Sequence, residues 1–410
     1  MEMETKTGAA GEDPLARSRQ SLQKWMETRQ FKGYDPFDIL NSPLLAGRWA
    51  RRFPFNILLV QAGKRYGSLW LRRLLRVPQS VNPKTLGLVL AAYCDLSRCG
   101  EDTADRANSI IAILSRCRSP REDQFCWGYN WDYYSLRGSE MPAFFPNAIA
   151  TVFCATALLD AAAVFHSHEA GDMAKSAARF LATRLNRAVE SNDQLCFSYT
   201  PNDRTRIYNS SLLVGAFLAH ASRTFAIPDY LDLARRSMAY GAAQQRPDGS
   251  WFYGAGKRQR WIDGFHTGYN LGALLDYRNA CGDRTFDDAM QRGYQFYKNN
   301  FFQPDRTPKY FYRNVYPVDI HSCAQAILTF CDFWDEDREA PALAVQSAQY
   351  CVQNMQSEEG FFFYQRHKLR ANRTPYMRWG QAWMLHALAR LQAKLYLSRK
   401  HEPGKNIVRA

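Results

Sequence analysis

An internal repeat limits this chain more than any other feature of its sequence. Six times a polar residue leads into an apolar run rich in Ala and Leu: Asn82 in VNPKTLGLVLAAY, Asn147 in PNAIATVFCATALL, Asn209 in YNSSLLVGAFLAHA, His266 in FHTGYNLGALLDY, His321 in IHSCAQAILTF and Arg378 in RWGQAWMLHALARL. The starts are 65, 62, 57, 55 and 57 residues apart, a period that belongs to stacked supersecondary units. Between successive copies lies a second helical pattern, over about Thr103 to Cys117, Asp172 to Val189, Asp229 to Gln245, Thr285 to Asn300 and Ala340 to Met355. These stretches carry Arg, Lys, Asp or Gln beside apolar residues at helical spacing, the pattern of a half-buried outer helix. The apolar runs must be buried all round. Two such populations predict a double ring, an all-α (α/α)6 toroid over residues 33–400, whose sixth outer helix comes from the segment before Asn82. Residues 1–32 read as a polar, partly disordered segment and 401–410 as a tail.

In such a ring each outer helix returns the chain, so all inner helices start on one face. The aromatic turns between repeats converge there too: CWGYNWDYY at 126–134, LCFSYTPNDRTRIY at 195–208, PDGSWFYGAGKRQRW at 247–261, PKYFYRNVYP at 308–317 and EEGFFFYQRH at 358–367. Aromatic residues make up 14% of the chain, enough for a core and for a cleft that stacks flat ligand faces. Free N–H groups at the helix starts add a preference for anions, and the formal charge of +14 also favours acidic partners.

From this mouth the sequence offers candidate residues. His266 and His321 stand near inner-helix starts, each shortly after an Asp, Asp263 or Asp319. Imidazoles can give and take protons near neutrality, whereas the Asp residues are equally suited to capping helices. Arg378, Arg313 and Arg204 could grip a carboxylate bidentately. For sugar binding the expected set is Trp131, Asp132, Tyr199, Trp251, Trp261, Tyr269, Tyr376 and Trp379. Asp132, Asp203, Asp263 and Asp319 would serve the alternative, a glycosidase with two carboxylates. A protein that binds glycan without catalysis is the third class.

Other chemistries lack their signatures. GAGKR at 254–258 is not a phosphate loop, no nucleophile elbow occurs, and His166 with His168 has no third ligand, so neither a cofactor nor a metal is expected. Basic residues are scattered rather than gathered on one helix, which argues against nucleic acid. The ten cysteines sit singly in apolar runs and the first residues show no secretory pattern, pointing to a reducing cytoplasm. Residues 51–76 alternate apolar clusters with Arg51, Arg52, Lys64, Arg65, Arg72, Arg73 and Arg76. They read either as a basic amphipathic element touching a membrane or a lipid-linked glycan, or as a helix on the toroid's outside with its Arg stems in solvent.

The turn QQRPDGSWF at 244–252 resembles the repeat turns of terpene cyclases, but the acidic motif of those enzymes is missing. GYDPFDILNS at 33–42, VNPKTLGLVLAAY at 81–93, WIDGFHTGYNLGALLDY at 261–277, YPVDIHSCAQAI at 316–327 and PYMRWGQAWMLHAL at 375–388 are similar to a bacterial VpsJ-type family of polysaccharide biosynthesis proteins found with capsule and exopolysaccharide genes. More distantly the chain resembles six-hairpin glycosidases, N-acylglucosamine epimerases and the helical domain of glucuronyl C5-epimerases, with no catalytic motif of the epimerases matched. These resemblances imply a setting in bacterial polysaccharide assembly, and the paired histidines, the arginines and the basic balance add the expectation of an enzyme acting on an acidic, uronate-containing oligo- or polysaccharide, as epimerase or lyase.

Overall fold

A computed structural model describes residues 13–66, 68–134 and 140–401. Most of the expected tail 401–410 and the first twelve residues of the expected N-terminal segment lie outside them. The helices are α1 (Pro14–Thr28), α2 (Phe55–Tyr66), α3 (Leu69–Leu74), α4 (Pro83–Arg98), α5 (Ala104–Arg116), α6 (Ala148–Val164), α7 (His168–Thr183), α8 (Tyr208–Phe225), α9 (Asp229–Ala243), α10 (Gly264–Cys281), α11 (Asp287–Asn300), α12 (Ile320–Asp332), α13 (Ala340–Met355) and α14 (Ala382–His401). A π-turn, Met377–Gln381, leads into α14.

The inner ring is α4, α6, α8, α10, α12 and α14, each packed on the next, and α14 returns to pack on α4. Outside them lie α5, α7, α9, α11 and α13, and α1 takes the sixth outer place against α14. The expected (α/α)6 toroid is thus present. It starts earlier than residue 33, because Leu22, Trp25 and Met26 of α1 are buried in the common core. The second outer helix is also shorter than expected: Arg187–Glu190 leaves the helical path to pair with Leu195–Phe197 as a hairpin. Its β-branched Val189 suits that extended backbone.

Inner helices begin where a side chain can satisfy their first free N–H groups. Asn82 accepts from Lys84 N, Asn147 from Ala150 N, Asp263 from His266 N and Asp319 from His321 N, the usual chemistry of a helix start. In the third and sixth repeats Ile207 and Tyr376 hold the capping position without a side-chain bond. This register corrects the sequence alignment. Residues two places after the caps are Lys84, Ile149, Asn209, Phe265, His321 and Arg378, and all six line one central cleft. His321 belongs to this layer, but His266 comes one residue later, so the two histidines do not share a slot.

Thirteen residues after the first five capping positions a second layer forms, of Asp95, Asp160, His220, Asp276 and Asp332. At 1.5 Å per residue it lies about 20 Å from the mouth. Arg390 of α14 donates to Asp95 at 2.8 Å and stands 3.9 Å from Asp332, while Arg98 pairs with Asp95 and Asp160. Two arginines thus draw Asp95, Asp160 and Asp332 together at the far end of the inner ring.

Candidate functional site

The cleft at the mouth has a volume of about 470 Å³. Lys84, Ile149, Asn209, Phe265, His321 and Arg378, two places after the caps, form its floor. Its walls are stacked aromatic pairs: Tyr129 on Trp131, with centroids 4.8 Å apart, and Tyr253 on Trp261 at 4.4 Å. Val60, Gln61 and Lys64 of α2 line it as well. Residues 51–76 are therefore not an external helix on the toroid's side; α2 lies at the mouth and turns one face into the cleft.

The two histidines have different surroundings. The Asp263 carboxylate accepts three bonds, from His266 N at 2.9 Å, from Trp261 Nε1 at 2.8 Å and at His266 Nδ1 over 2.7 Å. Capping and orientation of the imidazole are done by one residue. His266 lies against Tyr253 and Phe265, and its Nε2 has no partner among the described residues. His321 is sandwiched between Phe265 and Trp383, 4.5 and 4.6 Å away. Its Nε2 meets the Tyr269 hydroxyl at 2.6 Å, and its buried Nδ1 has no partner. Burial, with the positive charges of Lys84, Arg378 and His266, holds His321 well below the usual histidine range, so the imidazole is neutral at pH 7. Phe265, between the two, touches both rings.

Asp319 behaves differently from Asp263. It caps α12 and binds Trp379 Nε1 and Gln365, but it makes no bond to the His321 ring. Burial raises its carboxyl to about 6. The structure thus forms one Asp–His pair where the sequence offered two.

Arg378 lines the cleft with its fork already taken: Nε and Nη2 donate to Asp35 at 2.7 and 3.1 Å, and the guanidinium covers Tyr129 and Trp131. The expected carboxylate clamp is a buried structural pair. Two lysine amines reach the cleft instead, and residue-type reasoning missed both. Lys84 rests over Phe153 and Trp383, 4.0 and 4.9 Å from their centroids, and burial lowers its amine well below the normal range. Lys64 rests over Phe37 at 5.2 Å, and burial lowers it too. Neither amine has a hydrogen-bond partner among the described residues. The signal for Lys84 was its place two residues after a cap, which the misaligned register hid.

Of the other expected residues, Trp131, Tyr199, Trp261, Tyr269 and Trp379 line the cleft. Trp251 does not: it is 2% exposed, donates to Gly241 O and packs its ring where Gly293 leaves room. Tyr376 is buried against Tyr364, since the π-turn begins just beyond it. Asp132 pairs with Arg51 and accepts from Ala143 N. Arg204 and Arg313 are exposed, Arg313 over its neighbour Tyr312. Asp203 does line the cleft, but backbone N–H groups of Tyr199, Thr200 and Thr205 and two threonine hydroxyls occupy its oxygens. No two unengaged carboxylates face each other across the cleft among the described residues.

No protein-family model matches the sequence, and no curated protein matches it. Solved structures do. The cellobiose 2-epimerase of Bacillus thermoamylovorans is 13% identical, over 78% of this chain and 88% of that one, with a TM-score of 0.62. An unsaturated glucuronyl hydrolase specific for heparin is 13% identical over 96% and 99%, again at 0.62. A family 76 glycoside hydrolase from a bovine Bacteroides thetaiotaomicron strain is 10% identical over 95% and 78%, also at 0.62. At such identities the likeness is one of fold, the six-hairpin toroid.

Proposed function

We propose that the protein is an enzyme that moves a proton at a carbon of an acidic saccharide, as an epimerase or a lyase. The observation that carries this reading is the Asp263–His266 pair facing a neutral His321 across Phe265, inside a cleft walled by stacked aromatic rings. Asp263 stabilises the imidazolium that forms when His266 takes a proton, the part a buried carboxylate plays behind a catalytic histidine. His321 and Tyr269 stand on the other side as the donor pair an epimerase needs to return a proton. A uronate carboxylate entering the cleft favours protonation of the Lys84 and Lys64 amines, which then supply positive charge for it and for the enediolate that develops from it. A pyranose ring fits the Tyr253–Trp261 wall.

The toroids that match this fold include a sugar epimerase and a hydrolase of unsaturated glucuronyl substrates, which favours a saccharide ligand. Hydrolysis by two carboxylates has little support here, because Asp132, Asp203, Asp263 and Asp319 are all engaged elsewhere. The stretches similar to VpsJ-type proteins favour capsule or exopolysaccharide assembly as the setting, and ten unpaired cysteines suit a reducing compartment such as the cytoplasm.

The test is incubation with uronate-containing glycans in deuterated water. Deuterium at C5 identifies an epimerase and absorbance from a new double bond identifies a lyase. New reducing ends with neither would overturn the proposal, as would full activity in both His266→Ala and His321→Ala.

A further inference from the structure

Twelve large apolar side chains stand out into solvent among the described residues, and seven of them fall within residues 44–74. Phe53 and Trp70, 76% and 69% exposed, are the most exposed of these seven. Trp49 and Phe55 pack edge to face at 6.3 Å, so these two exposed rings share one patch beside α2. The Ser42 hydroxyl donates to Leu75 O and holds the start of this stretch beside α3, which carries Trp70 and Leu74. A folded monomer seldom leaves so much large apolar surface together without a use for it.

The charge around this surface is one-sided. Between Asp38 and Asp95 the chain has no acidic residue. Arg48, Arg52, Arg73 and Arg76 are exposed, and none forms an ion pair with a described carboxylate. Trp70 and Arg73 also border a second cavity of about 600 Å³, to which Arg29, Lys32, Arg370 and Arg373 contribute against one acid, Glu359. An apolar face and a basic groove thus meet at Trp70.

We propose that residues 44–76 and this adjoining groove seat the protein on a membrane containing anionic lipid. Exposed Trp, Phe and Leu reach the depth of the headgroups and upper acyl chains, while arginines bind the phosphates around them. A second copy of the chain is a poorer occupant, because a symmetric contact would bring the same unpaired arginines face to face. In the seated orientation α2 lies between the lipid and the cleft, showing Phe55 and Leu58 to one and Val60, Gln61 and Lys64 to the other. No helix is long and apolar enough to cross a membrane among the described residues, so the contact is peripheral.

Cosedimentation of the full chain with vesicles tests this independently of the catalytic proposal. Vesicles of phosphatidylcholine with phosphatidylglycerol should bind it at least roughly tenfold better than phosphatidylcholine alone, and high salt should weaken the binding. Phe53→Ser with Trp70→Ser, and Arg73→Glu with Arg370→Glu, should each reduce binding roughly tenfold or more. Circular dichroism of both variants should stay as in the wild type. Equal binding to both vesicle types, no binding to either, or unchanged binding by both variants would overturn the proposal. So would a wild-type dimer in solution that Phe53→Ser with Trp70→Ser dissociates, since a second copy would then cover the patch.

Discussion

Replacing Asp263 by Asn and, separately, by Ala divides the work of one carboxylate into its parts. The side chain is fully buried, so its bonds act with little solvent screening. Asp263→Ala loses the cap on α10, about 1 kcal/mol, and the bonds to Trp261 Nε1 and His266 Nδ1, each about 1.5 to 3 kcal/mol for a charged acceptor. A total of about 4 to 7 kcal/mol is expected. Asp263→Asn keeps an oxygen for His266 N but offers an amide to the two rings, for a cost of about 2 kcal/mol. Unfolding entropy for 410 residues is about 0.9 kcal/mol per kelvin, so Tm should fall by about 4 to 8 °C for Ala and about 2 °C for Asn in calorimetry. Proton exchange at the substrate carbon should fall about 100-fold to 10,000-fold in both, because each leaves His266 without its anionic partner. The small stability loss beside the large activity loss in Asn is the signature of the pair. Wild-type exchange by Asp263→Asn would reduce Asp263 to a helix cap and refute the argument.

Three further outcomes follow from the same contacts. Asp35→Ala should lower stability by about 3 to 5 kcal/mol by leaving Arg378 buried and unpaired, and adding Arg378→Met should recover most of it in chemical denaturation. Asp332, pushed up to about 7 by burial, has a folded pKa above its unfolded value near 4. Its contribution is present below about pH 4 and is lost as pH rises through about 7, so Asp332→Asn should stabilise by about 1 to 3 kcal/mol at pH 8 and by nothing at pH 4. Trp261→Ala should weaken binding of a confirmed glycan by about 1 to 3 kcal/mol in calorimetry, and unchanged affinity would exclude stacking on that wall.

Periodicity made the toroid legible because every inner helix needs the same apolar run, and the runs recur 55 to 65 residues apart. The register was harder. Aligning copies on their most conspicuous polar residue put His266 beside His321, whereas the backbone aligns Asp263 with Asp319 and so Phe265 with His321. Partners far apart in the chain were also hidden. Nothing local to Arg378 reveals Asp35, 343 residues away, or shows that its fork is already filled. Lys64 and Lys84 look like ordinary helix lysines until α2 is folded over the mouth. Trp251 and Trp261 sit in one aromatic turn, yet one ring meets Gly293 in the core and the other faces the cleft, a choice made by tertiary packing.

The bond between Asp35 and Arg378 also bears on the order in which the molecule becomes competent. Together with the Ser18–Gln356 and Arg19–Gln392 contacts, it ties α1 and the segment after it to the last two repeats, across almost the whole sequence. Contacts of such separation form late, after the chain entropy of a very long loop has been overcome. A nascent chain can stack its early hairpins as they emerge, but it has no finished cleft until its sixth repeat arrives and meets the first. Ligand binding should therefore report ring closure, and a chain stalled in its fifth repeat should be largely helical yet unable to hold a sugar.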